Sequence, residues 1–251
     1  MAAYISLLGR GRMDKRVAAV IAIIVVAAVV IGTISYYSLT PKSKELPTST
    51  EHVGGKYNVT LSYFREYVNV AYADETGSHS GFFEPEMRAG LDWIKNSTPT
   101  NSTFLCWWDY GHMIKGYAER NVVARNPSHE WINMIAEPAR SQVTEFDPNE
   151  KIVDIAKALT TNNSTETLLI MEKYGATYVV VYKDRYTNGT NSWIFEVAGF
   201  EHDTYFEFTE DSGWVLNEAG RQTMIARFLD NRDTGLTLAY QDALMKIYKK
   251  D

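Results

Sequence analysis

Between Val17 and Pro41 the chain carries no charged side chain, and Val17 to Ile31 is entirely aliphatic. A helix crosses the hydrocarbon core of a bilayer with about 20 apolar residues. Residues 17–39 are therefore expected to form one transmembrane helix, with the lipid bilayer as a partner. Tyr36 and Tyr37 fall near its far end, where aromatic rings prefer the interface. A cleaved signal peptide would have an apolar region of roughly 7–15 residues followed by a small-residue cleavage pattern. The segment Ser35-Tyr36-Tyr37-Ser38-Leu39 does not supply that pattern. Arg10, Arg12, Lys15 and Arg16 precede the run, and Lys42 and Lys44 follow it. The basic excess places residues 1–16 in the cytoplasm as a short tail and everything after the helix outside, in a single-pass arrangement at the cell membrane.

The sequons agree with that orientation. Asn-x-Ser/Thr occurs at Asn58, Asn96, Asn101, Asn162, Asn163 and Asn188. A glycosylation acceptor must lie outside the cytoplasm to be used, so these are candidate glycosylation sites of an extracellular glycoprotein. Asn162 and Asn163 overlap, and only one of the pair is expected to be modified.

Residues 40–55 are rich in Pro, Ser, Thr and Lys and close on Gly54-Gly55, the composition of a linker. The folded domain is expected over 56–251. The whole chain's hydrophobic share of 45% against 22% charged suits a packed core. The net charge of −6 gives no basic surface for nucleic acid. The single cysteine, Cys106, excludes an internal disulfide and a Cys-based zinc site. It lies in an apolar run and reads as a buried, inert thiol.

Residues 56–81 have no readable period. From Glu84 onward helix and strand patterns alternate. Met87, Leu91 and Ile94 recur at helical spacing within 85–96. Phe104–Trp108 and Asn121–Arg125 read as short strands. Asp147-Pro148-Asn149-Glu150 reads as a helix start with Asp147 as cap, and the apolar stripe continues to Leu159. A second helix over 165–174 is stopped by Gly175. Thr177–Tyr182 reads as a buried strand and Trp193–Ala198 as a further strand. Glu218–Leu229 reads as a helix, and 236–240 with 245–248 as a closing hairpin. The expected fold is α/β: a mixed, layered sheet with flanking helices, preceded by the single transmembrane helix.

The local feature with the least accidental look is Trp107-Trp108-Asp109-Tyr110-Gly111. With it, the sequence resembles the catalytic-subunit family of oligosaccharyltransferase, whose soluble C-terminal domain carries WWDYG. The segments Gly90-Leu91-Asp92-Trp93-Ile94-Lys95, Arg120–Asn126, Ile155–Leu159, Ile170–Gly175, Tyr178–Val181 and Lys246–Lys249 resemble the family in the same order. The resemblance covers about residues 84–251 and looks archaeal-like. It implies a role in protein N-glycosylation. It implies that Trp107, Trp108 and Asp109 bind the hydroxyl of the Ser or Thr two residues after an acceptor Asn, with Tyr110 and Gly111 supporting the motif. The chemistry is sound on its own terms, since a hydroxyl both donates and accepts, an ionised Asp accepts, and an indole N–H donates. In a straight strand Trp107 and Asp109 would face away from Trp108, so the site requires a bend, either at Gly111 or by a helix starting there.

The resemblance also implies what is missing. The family's chemistry lies in a large multi-helix membrane part with acidic metal-binding loops. This chain has no Asp-x-Asp pair, and no metal ligands or other cofactor are expected. The family's second recognition motif, an Asp and a Lys along a helix, has no match in 190–197, and Asp154-x-x-Lys157 matches only its short spacing. Transfer by this chain alone is therefore not expected. The expected partners are an acceptor polypeptide and a multi-span membrane subunit that completes the enzyme. Three readings stay open here: a peptide-binding or accessory module, a cell-surface glycoprotein that kept only the fold, and one part of a split transferase. The histidines are scattered, Glu84/Glu86 and Glu201/Asp203 read as solvated carboxylates, and His112 reads as a surface residue at a helix start.

Overall fold

The computed structural model describes residues 46–131, 146–183 and 193–251. The expected tail over 1–16, the transmembrane helix over 17–39 and Asn188 lie outside the described residues. Among the described residues no helix is long and apolar enough to cross a membrane. The described residues form a mixed α/β structure with three sheets.

The stretch without a readable period forms a four-stranded antiparallel meander, β1 (Ser49–Val53), β2 (Val59–Tyr63), β3 (Val68–Asp74) and β4 (Gly77–Phe83), in sheet order β1-β2-β3-β4. The linker expectation is corrected here, because β1 lies inside residues 40–55. Val68, Val70 and Tyr72 alternate inward along β3, as one-sided burial requires.

A second sheet has the order β10-β11-β7-β5-β6. Its strands β5 (Thr103–Leu105), β6 (Asn121–Val122) and β7 (Tyr178–Tyr182) are parallel, with Phe104 paired to both Val122 and Tyr178. The hairpin β10 (Thr237–Gln241) and β11 (Met245–Lys249) adds antiparallel to β7, as the sequence predicts. All five residues of β7 are buried, so both faces of this sheet are covered. Among the described residues the helices are α1 (Arg88–Ser97), α2 (Gly111–Gly116), α3 (Asn149–Thr160), α4 (Ser164–Lys173), α5 (Trp193–Val197), α6 (His202–Tyr205) and α7 (Met224–Leu229). A small hairpin, β8 (Phe206–Thr209) with β9 (Gly213–Leu216), stands apart from both sheets.

Three local expectations are overturned. Trp193–Val197 is helical, because Ile194 and Phe195 are both buried while Trp193 and Glu196 are exposed; consecutive inward residues do not fit a strand. Helix α3 takes Pro148 as its N-cap without a side-chain bond. The carboxylate of Asp147 instead accepts from the backbone N–H groups of Arg125 and Asn126 at 2.9 and 3.0 Å. The predicted helix over 218–229 is split, a 3-10 turn at Gly220–Gln222 preceding α7. Gly175 does end α4, at φ +61°, the left-handed region that favours glycine.

Candidate functional site

The motif follows the carboxyl end of β5, the middle of the three parallel strands. In open α/β sheets binding crevices form outside such strand ends. The expected strand over 104–108 stops at Leu105, and Trp108–Tyr110 form a 3-10 turn that runs directly into α2. Tyr110 N–H closes the turn on Trp107 O at 3.1 Å. The required bend is therefore present, and it lies in the turn; Gly111 itself has ordinary helical angles, φ −58° and ψ −42°. Glycine is needed there for space. A Cβ on Gly111 would lie 2.3 Å from Ala124 O and 2.4 Å from Arg125 Cα.

Trp107 is buried, whereas Trp108 and Asp109 are partly exposed. The two indole rings lie 6.2 Å apart at 49°. The Trp108 Nε1 atom is itself buried and has no hydrogen-bond partner among the described residues. A buried unpaired N–H costs about 1–3 kcal/mol, and such a group in a native fold calls for an explanation. Tyr110 is buried and packs on Tyr182 at 5.9 Å. Tyr182 in turn donates its hydroxyl to Glu84, so Glu84 is not the solvated carboxylate expected. Cys106 is fully buried and free. Burial, with the negative charge of Asp109, pushes its thiol up and leaves it inert.

Behind the motif lies a polar network that the sequence does not announce. His112, the second residue of α2, is not a surface residue. Its ring packs on β4 over Gly81, where a Cβ would come within 2.5 Å of His112 Cβ. Its Nδ1 pairs with Tyr72 Oη at 3.2 Å and its Nε2 with Asn126 Oδ1 at 2.8 Å. Burial pushes its pKa down to about 4, so the ring is neutral at pH 7. Tyr72 also accepts from Arg125 Nη1 at 3.2 Å, and burial pushes its phenol up to about 12. Arg125 Nη1 donates to Asp74 Oδ2 at 2.7 Å, and Asp74 Oδ1 pairs with His79 Nε2 at 2.8 Å. Burial works against the Asp74 charge, but hydrogen bonds from Thr76, Arg125 and His79 outweigh it and hold the carboxyl well below the usual range. This network ties β3 and β4 to α2 and to the segment after β6. Beside it is a cavity of about 200 Å³ bordered by Lys115, Arg125, Asp147 and Lys151.

The sequon asparagines on described residues, Asn58, Asn96, Asn101, Asn162 and Asn163, are all exposed. They do not converge on the motif. Thr98 of the Asn96 sequon is buried, donating to Ile94 O and accepting from Arg120. Asn163 caps α4 by accepting from Thr165 N–H at 3.0 Å. Among the described residues no group of His, Cys, Asp and Glu could hold a metal ion.

Fold and site together define a mixed α/β domain with an aromatic and carboxylate cluster at the end of a parallel strand. No family model matches the chain. Curated relatives do. Over 105 residues it is 30% identical to the dolichyl-phosphooligosaccharide-protein glycotransferase of Methanocaldococcus jannaschii, covering 36% of this chain and 11% of that protein. Over 45 residues it is 42% identical to dolichyl-phosphooligosaccharide-protein glycotransferase 2 of Pyrococcus horikoshii, covering 16% and 6%. Over 48 residues it is 35% identical to the stt3 subunit of the Schizosaccharomyces pombe dolichyl-diphosphooligosaccharide–protein glycosyltransferase, covering 19% and 6%. The matches thus span about a tenth or less of the relatives' own lengths. Among solved structures, the C-terminal globular domain of an Archaeoglobus fulgidus oligosaccharyltransferase aligns with a TM-score of 0.49 at 20% identity, covering 67% of this chain and 99% of that one. The Archaeoglobus fulgidus oligosaccharyltransferase AglB in complex with an inhibitory peptide and a dolichol-phosphate aligns with a TM-score of 0.44 at 15% identity, covering 66% and 24%.

Proposed function

We propose that this chain is a membrane-anchored, extracytoplasmic module that recognises acceptor polypeptide in protein N-glycosylation. Residues 17–39 anchor it, and a multi-span membrane subunit supplies the transfer chemistry. Trp107, Trp108 and Asp109 hold the Ser or Thr hydroxyl of the acceptor. The partial similarity to glycotransferases supports the process, and the sequence motif supports the role.

One observation carries the site assignment: the unpaired, buried indole N–H of Trp108, one residue from the partly exposed Asp109. A hydroxyl entering here accepts from the indole and donates to the carboxylate at once. A hydrogen bond to a charged group is worth about 1.5–3 kcal/mol. An Ala in place of Ser or Thr leaves the Trp108 indole N–H unpaired, so such a site rejects it.

The test is binding to the detergent-solubilised full chain. An Asn-x-Thr peptide is expected to bind about tenfold or more tighter than Asn-x-Ala, and Asp109→Ala to abolish the preference. Equal affinity for the two peptides overturns the assignment and favours a surface glycoprotein that kept the fold without the binding.

A further inference from the structure

The strand register brings a group of uncovered aromatic rings to the end of the four-stranded sheet at which the chain arrives from residues 17–39. Ser49 pairs with Tyr63, Tyr63 with Val68, and Val68 with Phe83. The start of β1, the β2–β3 turn and the last residues of β4 therefore share one end. Thr48 extends that end, donating its N–H to Tyr63 O at 2.8 Å. In the turn Phe64 stacks on Tyr67 at 4.6 Å, and Tyr67 meets Phe82 edge-on at 6.4 Å. Tyr67 is 37% exposed and Phe82 49%.

We propose that this aromatic end rests in the headgroup interface of the bilayer that holds residues 17–39. The inference rests on the membrane-anchor reading above. Between the apolar run and β1 lie only residues 40–48, which reach roughly 30 Å at full stretch. A tether of at most that length keeps the rings near the surface at about millimolar effective concentration, so a weak contact is populated. Tyrosine and its aromatic neighbours suit the interface, where amphipathic rings sit at headgroup level. The charges beside the rings, Arg65 and Glu66, are both exposed and cancel. The contact therefore depends on the rings and not on lipid charge. The opposite end of the sheet, at the β3–β4 turn, lies about 20 Å away along β3 and carries Asp74 and Glu75 in place of rings.

The experiment uses the full chain reconstituted in phosphatidylcholine vesicles containing a nitroxide-bearing lipid. An environment-sensitive dye is placed on Glu66→Cys, and in a second sample on Glu75→Cys; the native Cys106 is fully buried and does not compete. Quenching is expected to be several-fold stronger on Glu66→Cys. Adding Tyr67→Ser with Phe82→Ser should erase that difference while the chain still resists extraction by alkaline carbonate. Equal quenching at both positions, or none, in a carbonate-resistant chain overturns the docking alone. Release by carbonate overturns the anchor and the docking together. A dye response that follows protein density and ignores the nitroxide assigns the rings to a second copy of the chain, which also overturns the proposal.

Discussion

The two large sheets are built on opposite terms. In the five-stranded sheet β7 is buried at every position, Tyr178 to Tyr182. In the four-stranded sheet β3 alternates, and β4 turns only His79 and Phe83 fully inward. A strand enclosed on both faces writes itself as an unbroken apolar run, whereas a strand enclosed on one face writes half a code. Strand β4 weakens even that half. Its covered positions include His79, which belongs to the polar network, and Gly81, which makes room for His112. Both sheets bury apolar side chains in one core, and the four-stranded sheet is tied to the motif helix by a polar contact as well, His112 to Tyr72.

That contrast sets the ranking of mutational effects. Phe104 is fully buried in β5 and stacked on Tyr178 at 4.8 Å. Phe104→Ala should cost about 3–5 kcal/mol, read from denaturant unfolding of the full chain. A larger loss from Leu61→Ala in β2 would break the comparison. Next in size is the pH dependence of the seam. The folded-state pKa of His112 is lowered to about 4 from its ordinary 6.5. The unfolded chain therefore takes up a proton first on acidification. Stability is full above pH 6.5, falls through the window from 6.5 to about 4, and loses of the order of 3 kcal/mol there. Hydrogen exchange at pH 5 should show amides of β3 and β4 opening before those of β7, and His112→Gln should flatten the profile. Simultaneous opening of both sheets would show that the seam does not divide them. Gly111→Ala is expected to be smaller, about 1–3 kcal/mol, since Ala124 and Arg125 must give way. Its readout is a lower unfolding midpoint with the unfolding slope unchanged.

What the sequence made legible follows the same division. Helices α1, α3 and α4, strand β7 and the β10–β11 hairpin stand where their periods put them, because each buries a regular apolar face. The segment Trp193–Val197 misleads through composition: its aromatic and branched residues suit a strand, and only the adjacency of buried Ile194 and Phe195 betrays a helix. Asp147 misleads because a capping pattern does not say which N–H groups the carboxylate will find. Within the candidate site the pentapeptide, the need for a bend and a helix start at Gly111 were visible, and the turn at Trp108–Tyr110 was not. The turn at Trp108–Tyr110 depends on α2 lodging between β4 and the backbone after β6, where Gly81 and Gly111 allow the approach. The network around His112 spans residues 72 to 126, and no local spacing encodes it.

The unpaired indole N–H of Trp108 is the centre of the proposed site, and the most direct test watches that proton. With indole nitrogens labelled, titration of the full chain with an Asn-x-Thr peptide should shift the Trp108 N–H resonance, assigned by its loss in Trp108→Phe. The matching Asn-x-Ala peptide should leave it in place. Identical shifts from both peptides, or a Trp108 resonance that moves for neither, would contradict the claim that this group waits for a hydroxyl.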